Sequence, residues 1–208
     1  LVKTLKDNPV NAVEDIIKDK FKSIKSRYSL NLDSVLKKSF DRSLDVGVQL
    51  GGKKTQASNI KSRLNALKKV MIGDIDKIEN EASQNTARVI ASAYASGIPS
   101  GKIASALTTE VGGIDYKTSR AIRTNTVYLS SLTKLTVWDS QGFTHYKWVL
   151  GIKDAATRKQ HKIWHGKEFS IKVALSGRAP IPGHVTDKNG KVILGESINC
   201  RCGISLSR

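Results

Sequence analysis

Four residues in the last third of the chain have the types and spacing for chemistry. His161 and His165 stand one helical turn apart in His161-Lys162-Ile163-Trp164-His165, close enough for two imidazoles to reach one ion. Further on comes Cys200-Arg201-Cys202. A disulfide across a single residue requires strained geometry, so two thiols facing one way fit metal ligation or a reduced, buried pair. One reading is a structural zinc held by Cys200, Cys202 and His161, with Asp154, His165 or His184 as fourth ligand. The other is a hydrogen-bonding His161 packed by two buried thiols. No glutamate lies between the histidines, so a zinc-protease motif is excluded. A thiol near a histidine is the minimum for nucleophilic catalysis, and Arg201 would help hold a thiolate. No oxyanion hole or substrate pocket is legible, however, and the expectation is that the chain is not an enzyme.

These residues need elements to position them. Asp154 is predicted to cap a short helix running through Trp164 and ended by Gly166. That helix would place Asp154, Arg158, His161 and His165 on one face. Around it, Thr144–Val149 alternates like a strand and Glu168–Leu175 reads as extended. Pro180 and Pro182 mark a loop, Asp187-Lys188-Asn189-Gly190 a hairpin-type turn, and Ile204–Leu206 a closing strand. So small a core commonly needs a metal or a partner.

The first part of the chain reads as helix. Val13, Ile16, Ile17, Phe21 and Ile24 recur at helical spacing, and Asn31 or Asp33 is a candidate cap for a second segment through Val35, Leu36 and Phe40. Gly51-Gly52 breaks the pattern without the spacing of a phosphate-binding loop. Periodicity returns at Ile60, Leu64, Leu67 and Met71, again from Ile75 to Ala93, and stops at Gly97 and Pro99. A short run Ile103–Leu107, a turn at Gly112-Gly113 and a long helix from Asp115 to Trp138 follow. Arg120 and Arg123 lie early on that helix, either as solvated arginines or as anchors for a carboxylate. The expected fold class is α+β: a mainly helical N-terminal region, residues 1–142, then a small C-terminal α+β domain, residues 143–208, with short antiparallel strands. The glycine breaks near 51 and 112 would let the N-terminal helices rearrange or lie along a partner.

Composition narrows the partners. Thirty-five Lys and Arg against 18 Asp and Glu leave +17, which favours a polyanion or an acidic protein surface. The excess is spread along the chain and aromatics make up only 6%, so the readings are nonspecific contact with double-stranded DNA, without base reading, or a basic surface for solubility or docking on acidic protein. No apolar run is long enough to cross a bilayer, and no membrane role is expected.

The same residues carry a family pattern. Trp148, the run Asp154-Ala155-Ala156-Thr157-Arg158-Lys159-Gln160-His161, Gly166, Phe169, the loop at Pro180 and Pro182, and Gly195-Glu196-Ser197-Ile198-Asn199-Cys200-Arg201-Cys202 resemble the phage Mu F-like minor head proteins, a family that includes the SPP1-type head morphogenesis proteins. Upstream, Arg120-Ala121-Ile122-Arg123-Thr124 is similar to the arginine-containing helix that precedes the motif. The resemblance covers roughly residues 85–208, and its most specific part is Asn-Cys-Arg-Cys behind the Asp–Thr–Arg–His run. Ala156 and Asn125 depart from the pattern, which often has an arginine and an acidic residue there. The resemblance implies a minor capsid protein of a tailed double-stranded DNA phage or prophage. It would sit in the virion near the portal vertex, with the portal protein as partner and capsid or scaffold protein nearby. It would assist head assembly, DNA packaging or ejection, and be found in the host cytoplasm during assembly.

Overall fold

A computed structural model describes residues 9–53, 57–98, 100–151, 157–187, 189 and 191–207. Three long helices come first: α1 (Pro9–Gln49), α2 (Ala57–Ala95) and α3 (Ser100–Ser140). Three short strands and three short helices follow: β1 (His145–Val149), α4 (Lys159–Trp164), β2 (Glu168–Ser170), α5 (Ile171–Leu175), α6 (Leu194–Ser197) and β3 (Gly203–Leu206). The strands form one antiparallel sheet in the order β2-β1-β3. A mainly helical N-terminal region followed by a small C-terminal region with a three-stranded antiparallel sheet is therefore the architecture. No helix among the described residues is long and apolar enough to cross a membrane.

The helices are longer than the sequence punctuation suggests. Asn31 and Asp33 do not cap a new segment, because the buried stripe of α1 continues in phase through Phe21, Tyr28, Leu32, Leu36 and Phe40. Asp33 faces outward and pairs with Lys68 at 2.6 Å. Gly112 and Gly113 lie inside α3, so no turn or hinge occurs there. Each glycine costs a helix about 1 kcal/mol relative to alanine. Burial of Ile114 and Thr118 on the next turn outweighs that. The break after α1 is real: Gly51 has φ 84°, a left-handed conformation that a side chain disfavours.

The chain divides into two compact units, Leu1–Ser29 with Val70–Arg120, and Leu30–Lys69 with Ala121–Arg208. The first buries Ile17, Phe21, Met71, Ile75 and Ile90, with Lys25 bridging Asp76 and Glu79 at 3.0 and 2.7 Å. The second contains all of the sheet. Within it, β1 alternates and sends Tyr146 and Trp148 inward, both fully buried. Tyr146 stacks on Phe169 and donates its hydroxyl to the Pro180 carbonyl, while Trp148 sits opposite Ile204. Beneath the sheet, Trp148, Val185, Cys200 and Cys202 form a core flanked by Leu150, Trp164 and Phe169.

Two local expectations are corrected. The helix carrying His161 starts at Lys159, because Arg158 is extended (φ −60°, ψ 144°) at its N-terminal boundary. Residues 171–175 are helical rather than extended, since the Ser170 side chain accepts from the Val173 N–H and starts a new turn.

Candidate metal centre

His161 comes from α4, and the two cysteines come from the segment between α6 and β3. The buried Ser197 hydroxyl anchors α6 by accepting from the Val185 N–H. The next turn passes through Asn199 in the left-handed region (φ 58°), which asparagine tolerates better than most residues. This turn aims the Cys200 and Cys202 sulfurs into the core beside Trp148. Gly151 faces the same segment: a Cβ there would stand 2.0 Å from the Arg201 carbonyl oxygen, so only glycine lets the two backbones meet.

The three expected ligands converge. His161 Nδ1 lies 3.4 Å from Cys202 Sγ and 3.9 Å from Cys200 Sγ, and all three ligand atoms fall within 4.8 Å of one another. Tetrahedral zinc with Zn–S of about 2.3 Å and Zn–N of about 2.0 Å separates nitrogen and sulfur ligands by about 3.5 Å. The observed spacing brackets that edge, so the cluster can coordinate a structural zinc ion. Both cysteines are free and buried. The other imidazole nitrogen, His161 Nε2, sits 3.0 Å from Glu196 Oε2. The approach is off the ring N–H direction, so the two atoms stand close without an aligned hydrogen bond. A carboxylate behind a ligating histidine fixes the ring and raises its basicity. Trp164 stacks on the imidazole at 5.6 Å, and Trp148 meets it edge-on at 5.2 Å.

The two thiols titrate as a pair, with Cys200 the more acidic. Cys200 is held well below the ordinary thiol range, first because Cys202 donates to it, with burial opposing and His161 and the Cys202 backbone N–H adding. That N–H lies 3.4 Å from Cys200 Sγ. Cys202 is pushed up as the donor, further by burial and by the Cys200 charge. The Trp148 indole and the Gly151 backbone N–H act the other way on Cys202, favouring a thiolate once its proton leaves. A metal ion would displace that proton and satisfy both sulfurs.

The remaining predicted residues fall in different places. Asp154 lies outside the described residues. His165 is exposed, and its Nδ1 accepts from the Leu150 N–H at 3.4 Å. His184 stacks on Tyr128 at 4.5 Å, and burial lowers its pKa. Neither belongs to the His161–Cys200–Cys202 cluster. Arg120 lies over the Tyr116 ring at 5.1 Å. Arg123 donates to Asn199 Oδ1 at 2.7 Å, and the neighbouring Thr124 Oγ1 accepts from the Asn199 N–H at 2.9 Å. Arg158 donates to the Ile198 carbonyl at 2.5 Å. The arginine helix and the Asn-Cys-Arg-Cys segment thus meet at Asn199, a residue whose role the sequence did not disclose. Glu196, which the sequence offers as an acidic partner for Arg201, stands behind His161.

The expectation of no enzyme-like site is corrected here. The described residues gather a buried His/Cys/Cys cluster suited to a metal ion, with a thiolate-prone Cys200, which is consistent with a catalytic or cofactor site. A cavity of about 350 Å³ also opens against it, where none was legible in the sequence. Comparison with known proteins adds no relative: no family model, no curated protein and no solved structure matches this chain.

Proposed function

We propose that His161, Cys200 and Cys202 bind zinc, and that the chain carrying this centre serves as a minor head protein of a tailed double-stranded DNA phage or prophage, bound near the portal vertex. The convergence of the three ligand atoms within 4.8 Å carries the first half. The second half rests on the family resemblance. It is supported by the way the residues of that pattern contact one another: Arg123 and Thr124 at Asn199, Arg158 at Ile198, His161 at both cysteines. The +17 charge suits a protein beside packaged DNA. Elemental analysis of protein purified without chelator tests the centre. About one equivalent of zinc is expected, and less than about 0.2 equivalents in the folded protein would leave two packed thiols beside His161. Mixing the protein with the portal protein and with duplex DNA tests the role. Tight portal binding with weak, steeply salt-dependent DNA binding is expected. Tight DNA binding at physiological salt without portal binding would instead favour a basic DNA-binding protein.

A second reading, an enzyme that uses the Cys/His site, is favoured by the lowered Cys200 thiol in a cluster whose other members, His161 and Cys202, line an open cavity. Alkylation by iodoacetamide at mildly acidic pH separates it from the first. Selective modification of Cys200 in folded, metal-free protein supports nucleophilic chemistry, whereas protection by stoichiometric zinc supports ligation.

A further inference from the structure

The cavity beside the cysteines has a lining that a metal centre alone does not explain. Three arginines, Arg123, Arg158 and Arg201, face it together with Thr157 and Asn199. No carboxylate lines it among the described residues. Arg123 and Arg158 spend their hydrogen bonds on neutral oxygens, the Asn199 side-chain carbonyl and the Ile198 backbone carbonyl. These bonds orient the guanidinium groups without neutralising them. Arg123 and Arg158 thus keep their charge in one concavity, and their mutual repulsion is relieved when an anion enters. Guanidinium forks match the oxygens of a tetrahedral oxyanion, and the Asn199 side-chain amide adds a neutral donor. The positions are built rather than incidental: Arg123 comes from α3, Arg158 from the N-terminal boundary of α4, and Arg201 from between the two cysteines.

We propose that this arginine-lined cavity is a binding site for a phosphate group, with His161 and Cys202 at its inner wall. It stands whether or not the adjacent cluster holds zinc. The phosphate can come free, as inorganic phosphate or a small phosphomonoester, or from nucleic acid, and the test tells these sources apart.

The experiment titrates inorganic phosphate into the full chain by calorimetry, with acetate as a monovalent comparison. Arg123→Gln and Arg201→Gln are compared with Lys172→Gln, an exposed charge outside the cavity. Saturable phosphate binding that weakens about tenfold or more in each arginine variant, and holds in K172Q, is expected, because a charge-assisted hydrogen bond is worth at least that factor. Circular dichroism confirms that the variants fold, and zinc measured on the same samples keeps the metal reading separate. Duplex DNA binding then names the source. If phosphate competes with DNA and both arginine variants lose DNA affinity equally, the phosphate is that of nucleic acid. If DNA binding is unchanged, the ligand is a free phosphate. Absence of saturable phosphate binding, or binding indifferent to both arginine variants in folded protein, overturns the proposal.

Discussion

The long helices and the C-terminal sheet region solve the problem of burial in different ways. The helices repeat one device: an apolar residue every three or four positions, as in Leu32, Leu36 and Phe40 or Leu64, Leu67, Met71 and Ile75, so each contact contributes a modest share. The sheet region has no such period, although Ile171, Ile181 and Ile204 are buried there too. Its core is Trp148, Val185 and two thiols, and polar residues complete it: His161, buried at 2% exposure, Ser197, and the Tyr146 hydroxyl on Pro180. Distributed packing degrades gradually when one residue is lost. A core closed by a few specific contacts fails as a unit, and its unpaired polar groups become the largest penalty.

The sharpest way to break the contrast is at the cysteines. Cys202→Ser, or removal of metal by a chelator, is expected to destabilise the sheet region by on the order of 5 kcal/mol or more, against the 10–16 kcal/mol or so that zinc contributes in zinc-finger peptides. Hydrogen exchange should then lose protection across β1, β2 and β3 while α1 and α2 keep theirs. The same region should release metal in acid, because protons compete with the ion for thiolate sulfur. Uniform protection in C202S would mean the sulfurs only fill space.

Within the helices, Leu135→Ala or Ile75→Ala removes a fully buried side chain and should cost about 2–5 kcal/mol each. Chemical denaturation reads it as a shifted midpoint with folded structure retained. Gly151→Ala tests the other region with a single added methyl. A Cβ 2.0 Å from the Arg201 carbonyl oxygen forces the 149–151 and 200–202 backbones apart, at about 1–3 kcal/mol. Zinc affinity should fall with it, although no ligand is touched. Unchanged stability in G151A would show that this close approach is not needed.

What could be read from the sequence follows the same division. Ile60, Leu64, Met71, Ile75 and Ile90 announced their burial through spacing, because a helix face is periodic. Helix ends were overread at Asn31, Asp33 and Gly112-Gly113, since local breakers are weak against a continuing buried stripe, and Tyr28 and Leu32 supplied that stripe. In the sheet region, β1 and β3 were visible as alternation and as a short apolar run, and His161 with the cysteines as ligand types. The order of α4 and the fate of His165 were not. One extended residue, Arg158, moves the helix start and leaves His165 at its C-terminal boundary. The arginine-lined cavity was illegible for a further reason. Arg123, Arg158 and Arg201 are far apart in the chain, and only the turn at Asn199 brings their segments together.

The smallest expected effect lies in the first compact unit, where Lys25 reaches Asp76 and Glu79. Its pKa is raised above the ordinary 10.5, first by the Glu79 hydrogen bond, against the opposing effect of burial, and then by Asp76. A raised folded-state value means the folded form holds the proton more tightly than the unfolded chain does. The stabilisation is therefore complete below the unfolded value and is lost as pH rises through the folded one, in the window above 10.5. The lysine is partly exposed, at 31%, and Asp76 more so, at 51%, so solvent and salt screen the pair. Lys25→Met should cost less than about 1 kcal/mol at neutral pH. The difference from wild type should shrink in 1 M salt and again above pH 10.5, because both conditions remove what the methionine lacks. Thermal melts of the two proteins at low and high salt measure it. A loss several times larger and insensitive to salt would mean that the lysine stem, and not its charge, packs the helices here, as buried side chains do elsewhere in that unit.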